Sequence, residues 1–184
     1  MSIDKIVLHL CADIGSDSKP YRENGYTVIC VGKKDDVRTY IPPDHVYGVI
    51  ANPPCTMFSL ARTTAKTPRD IVGALGVVSA CLRIIYFCRP KFWVLENPKG
   101  LLRKYLGQPR LTIQPYWFGD NYSKQTDLWG EFNIPKFSPV RLTPDEIYAM
   151  KQNTRKLPEI GLSISDRRAV APMKFAQAFF EVNR

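Results

Sequence analysis

The chain has 184 residues, of which 45% are apolar and 23% charged, the balance of one soluble domain with its own core. Its formal net charge is +9, which speaks against an acidic binding surface and for a phosphate-bearing partner, a nucleic acid or a nucleotide. No run reads as a membrane span, and the start "MSIDKIVLHL" does not read as a secretory signal, so the expected location is the cytoplasm with no membrane partner.

The short apolar run "KIVLHLCA", residues 5–12, predicts a first strand, ended by the polar "DIGSDSKP". A short polar helical stretch and Gly25 lead to a second strand, "YTVICV", at 26–31. "DDVRTY", 35–40, predicts a third strand. "VYGVIA", 46–51, predicts a fourth and runs straight into "NPPC". From Pro68 to Cys88 the residues Ile71, Leu75, Val78, Leu82 and Ile85 recur at helical spacing, and Pro68 suits a first turn. "KFWVLE", 91–96, is the next strand. "LTIQPYWFG", 111–119, and "DLWGEFNIP", 127–135, predict two late strands with no helix between them, an antiparallel pair at a sheet edge. Asp145 and Glu146 after Thr143-Pro144 read as a helix start, and "PMKFAQAFFEVN", 172–183, as a closing helix. Strands alternating with helices predict an α/β fold around an open, mostly parallel sheet with an antiparallel edge. Residues 131–168 are the least regular part and read as an insertion or flap within a single domain.

The five cysteines are odd in number and form no C-x-x-C pair, and His9 and His45 are the only histidines. Neither a disulfide framework nor a metal site is expected. Cys11, Cys30, Cys81 and Cys88 lie in apolar segments and read as small core residues. Cys55 stands apart, because Pro53 and Pro54 stiffen the chain just before it. Open α/β sheets bind ligands beyond the carboxyl ends of their strands. Asp13, Gly15, Ser16 and Asp17 follow the first strand; Gly32, Lys33 and Lys34 follow the second. Asn52 through Cys55 follow the fourth, and Glu96, Asn97 and Pro98 the fifth. A cysteine and a carboxylate on one rim can act as nucleophile and acid. Phe58, Trp93 and Trp117 read as core rather than as stacking platforms.

"PPCTMFS" resembles the catalytic loop of the DNA cytosine-5 methyltransferases, Pro-Cys-x-x-Phe-Ser, and "ENP" resembles that family's Glu-Asn-Val. "LHLCADIGS…NGYTVICV" is similar to its first cofactor motif, and "YSKQTDLW" sits where the family has Gln-x-Arg-x-Arg. "VAPMKFAQAFFEVN" resembles its closing helix. The order is the family's, and the size resembles the small, phage-type branch without a full target-recognition domain. The resemblance implies a Rossmann-like methyltransferase fold, S-adenosylmethionine as cofactor and cytosine in DNA as acceptor. It makes Cys55 the nucleophile and Glu96 the acid at ring nitrogen 3, and leaves open which group removes the carbon 5 hydrogen. It places Asp13, Gly15, Ser16, Gly32, Asp36, Asn52 and Pro53 around the cofactor. Pro54, Ser59, Arg62, Asn97, Lys124 and Thr126 fall around the base and its phosphate.

The chain departs from the family's pattern in three places. Asp13-Ile14-Gly15 replaces Gly-x-Gly, and Gly32, followed by Lys33 and Lys34, replaces a ribose-binding acid. Three cofactor states follow: weakly bound S-adenosylmethionine, an analogue carrying extra negative charge, or a lost site. Residues 131–168 are too few for a target-recognition domain, which suits single-stranded DNA, or a protein partner that supplies specificity. Two rival functions stand beside the methyltransferase. One is a catalytically silent homologue that binds nucleic acid or a partner protein; the other is an enzyme acting on free cytidine nucleotides.

Overall fold

The computed structural model describes residues 5–12, 15–32, 34–153 and 170–184. Its strands are β1 (Ile6–Leu10), β2 (Thr27–Val31), β3 (Gly48–Ala51), β4 (Phe92–Pro98), β5 (Leu111–Ile113) and β6 (Thr126–Glu131). They form one sheet in the order β2-β1-β3-β4-β6-β5. The first four are parallel, and β6 runs antiparallel to both β4 and β5. The predicted α/β class and antiparallel edge are therefore both present.

Period-two alternation sends neighbouring side chains to opposite faces. Leu8, Leu10, Val49, Ala51, Leu95 and Trp129 pack in a core with helix α2 (Ile71–Cys88) through Val78, Cys81, Ile84 and Ile85. Val7, Ile50, Val94 and Leu128 face the other way, against Tyr21 of α1 (Lys19–Glu23) and Phe175, Phe179 and Phe180 of α5 (Met173–Asn183). Two further helices are α3 (Arg103–Leu106) and α4 (Pro144–Asn153), the latter starting where the acidic pair predicted. The rest of the expected flap, from residue 154 to 168, lies outside the described residues.

Several expectations are corrected. "DDVRTY" is a turn, because the Asp36 carboxylate accepts from the Arg38 backbone and guanidinium while the Asp36 carbonyl accepts from Thr39 and Tyr40. These local bonds replace a strand ladder. β2 is an edge strand, so Cys30 is exposed rather than core. The strand at 111 stops at Ile113, since Pro115 donates no backbone bond and opens a 3-10 turn, Pro115–Phe118. The strand predicted from 127 starts at Thr126 and ends at Glu131, just after Gly130 takes φ +143°. α2, 18 residues of mean hydropathy 2.1, is long and apolar enough to cross a membrane, which the sequence reading had excluded. Here its inner face serves as a core helix.

Strand order reverses at β1, with β2 on one side and β3 on the other. Such a switch point opens a crevice at the carboxyl ends of the strands.

Candidate active site

The turn after Pro54 is built by backbone bonds, since the Cys55 carbonyl accepts from Phe58 N (2.9 Å) and Ser59 N (2.8 Å). Phe58 anchors it in the core, fully buried. Arg69, which the sequence reading did not single out, clamps it by donating to the Met57 carbonyl (2.6 Å) and the Ser59 carbonyl (3.0 Å).

Glu96 does not follow a strand but lies inside one, where β4 continues along β6 opposite Leu128. The segment after it is zipped to the Cys55 turn. Asn97 donates to the Pro53 carbonyl (2.8 Å), Leu101 N donates to the Phe58 carbonyl (2.8 Å), and Ser59 bridges Gly100. Gly100 must be glycine here, since a Cβ would lie 2.4 Å from the Phe58 carbonyl oxygen. These contacts fix the thiol-bearing turn against the carboxylate-bearing strand.

Asn52 is the hub. Its side-chain amide donates to Glu96 (3.1 Å) and to Asp17 (3.3 Å), and its oxygen meets His9 Nε2 at 2.7 Å. The two carboxyls require the amide nitrogen, which leaves the oxygen to accept from His9. His9 Nδ1 then accepts from the Ser18 hydroxyl (2.8 Å). Burial lowers His9 to about 4, so the ring is neutral. Burial, then the Glu96 charge, pushes the Asp17 carboxyl up to about 7, against the pull of Lys124. Lys124 stands 3.8 Å from Glu96. The Cys55 thiol is raised, by burial first; Lys124 pulls it down and Glu96 pushes it up.

Asp17, Asn52, Glu96, Lys124 and Thr126 line one small cavity of about 10 Å³, closed by Ala171, Pro172 and Phe175. Ser16 holds that closing segment, accepting from Ala171 N at 2.8 Å. A larger cavity of about 290 Å³ lies at the other end of the sheet, around Tyr47, Lys91 and Phe92. It opens at the amino ends of β3 and β4, away from Cys55, and is not the site this fold uses.

Of the predicted residues, Asn52, Glu96, Lys124 and Thr126 come together, with Cys55 within their field. Others are spent locally. Arg38 occupies both Asp36 oxygens and holds that carboxyl down at about 2. Arg62 donates to Thr67 and Pro68, the Ser59 hydroxyl accepts from Ala61 N, and Asn97 donates to the Pro53 carbonyl. Pro54 is exposed beside Cys55, and Asp13 lies outside the described residues. His9 is a polar residue in the middle of a buried strand, a signal the sequence offered.

The cofactor implied by the resemblance needs a tight backbone turn after β1 and a wall from the closing helix. Gly15 supplies the first, at φ +68°, and the Ser16–Ala171 bond the second. The residues fit a backbone cradle at that end, while at the end of β2 Gly32 offers no carboxylate.

No curated protein matches the chain. Among solved structures, a candidate DNA modification methyltransferase encoded within an E. coli prophage aligns at 15% identity and TM-score 0.49. The alignment covers 76% of this chain and 52% of that one, so the chain spans about half its length. A profile described as C-5 cytosine-specific DNA methylase matches residues 17–126. That match runs over more than half of the chain and through both the Cys55 turn and the Glu96 strand, so the chain belongs to the C-5 cytosine-specific DNA methylase family.

Proposed function

We propose that this chain is a cytosine-5 methyltransferase domain acting on DNA in the cytoplasm, with residues 131–168 in place of a target-recognition domain. The carrying observation is the zipper between the Cys55 turn and the Glu96 strand, which holds a thiol and a carboxyl on one rim. Carbon 5 of cytosine is a weak nucleophile. A sulfur added at carbon 6 makes it electron-rich, and Cys55 is the group for that step. Glu96 holds a proton toward ring nitrogen 3, which keeps charge from building on the base. Lys124 steadies Glu96 and favours the Cys55 thiolate. S-adenosylmethionine, when bound, supplies an electrophilic methyl group. Gly15, Ser16, Gly32, Asn52 and Pro53 would hold it, with Asp13 two positions before Gly15 in sequence and Asp36 four after Gly32.

The test is a covalent trap. An oligonucleotide containing 5-fluorocytosine, single- or double-stranded, is incubated with the protein and S-adenosylmethionine or a carboxylated analogue. A denaturation-resistant adduct that Cys55→Ala abolishes is the expected result. Binding without any adduct, with either methyl donor and either strand form, would overturn the reading in favour of a silent binding homologue. An adduct only with the free nucleotide would move the acceptor from DNA to cytidine nucleotides.

A further inference from the structure

Asp17 takes no part in the mechanism above, yet it faces the same cavity as Glu96. One Asn52 amide nitrogen donates to both carboxyls, so they stand within two hydrogen-bond lengths of each other. The amide cannot turn away, because His9 holds its oxygen and Ser18 holds His9. Among the described residues the surrounding charges are few. Glu96 comes from β4, Lys124 from the approach to β6, and a neutral His9 from β1, with the Arg22 charge of α1 acting on His9 and the Cys55 thiol acting with Lys124 and Glu96. The closing segment contributes Ala171, Pro172 and Phe175, none of them charged. Among the described residues two carboxyls thus share one nearby ammonium, in a cavity with room for about one water, which favours one bound proton between them.

We infer that Asp17 is a positioning residue for the cytosine chemistry: with Glu96 it keeps one shared proton, which Glu96 passes to ring nitrogen 3 as Cys55 adds to carbon 6. This rests on the methyltransferase reading. The thiol proton leaves to solvent beforehand. When the sulfur–carbon bond forms, the shared proton moves from Glu96 to the ring, and both carboxyls are then ionised opposite Lys124. When that bond breaks, the ring proton returns to Glu96. The upward displacement of the Asp17 carboxyl, partly by the Glu96 charge, agrees with this sharing.

The experiment pairs a carboxyl titration by carbon NMR on the full chain with the pH profile of adduct formation. In the wild type the Asp17 carboxyl is expected to titrate near 7, and lower in Glu96→Gln. Asp17→Asn leaves Glu96 to draw its proton from solvent, so the alkaline limb of adduct formation moves down by about one pH unit. Asp17→Glu restores it. An Asp17 that titrates in the ordinary carboxylate range and ignores Glu96→Gln overturns the inference alone if adducts still form. So does an Asp17→Asn profile lowered evenly at all pH, as a purely structural role would give. A coupled pair in a wild-type protein that forms no cytosine adduct overturns the methyltransferase reading and this inference with it.

Discussion

Asp17 and His9 pull the stability of the molecule in opposite directions with pH. The folded state raises Asp17 to about 7, so it binds more protons than the unfolded chain from the ordinary carboxylate range up to 7, and stability falls as pH rises through that window. It lowers His9 from 6.5 to about 4, so the unfolded chain binds more protons there, and stability rises across that window. In the wild type the two slopes largely cancel. Asp17→Asn removes one of them. Urea titrations of that variant should show stability climbing by up to about 3 kcal/mol between pH 4 and 6.5, and the variant should exceed the wild type at pH 8. Neither residue was singled out for a role by its sequence context. Cys55 and Glu96 were, because their neighbours form a motif whereas Asp17 depends on an amide 35 positions away.

At the scale of elements, two joints carry the site. The first is the contact of Gly100 with the Phe58 carbonyl. Gly100→Ala must push the Cys55 turn from the Glu96 strand. A displacement near 1 Å is expected to cost about 100-fold in adduct rate, with a stability loss of about 1–3 kcal/mol. The second is the Arg103 guanidinium of α3, held on the fully buried Asp127 carboxylate of β6 and on Thr112 of β5. Arg103→Ala leaves that carboxylate without its cation and should cost about 3 kcal/mol in chemical denaturation. Elements with a strong period, such as α2 and α5, were legible in the sequence because burial on one face dictates their residues. "DDVRTY" misled because its valine, threonine and tyrosine suit a strand, while Asp36 and Arg38 close a turn that composition does not reveal. Asp36 and Arg62 were read as ligand contacts for a related reason: a charged residue shows its type in the sequence but not the neighbour that has already engaged it.

For the whole molecule, the charge of +9 has a measurable signature. If the acceptor is DNA, log K should fall linearly with log salt, by roughly 0.7 per single-strand phosphate neutralised and 0.9 per duplex phosphate. Filter binding at several salt concentrations reads this directly, and a free nucleotide acceptor would give a much shallower line. The small cavity adds a second constraint. At about 10 Å³ it has room for about one water and not for a pyrimidine ring.

The bond that holds that segment, from Ala171 N to the Ser16 hydroxyl, joins positions 155 residues apart. Its donor leaves the ribosome long after the sheet strands have been made. Until then a nascent chain lacks the segment that closes the rim. Enclosure of the pocket therefore waits for residues that are made after every described strand of the sheet.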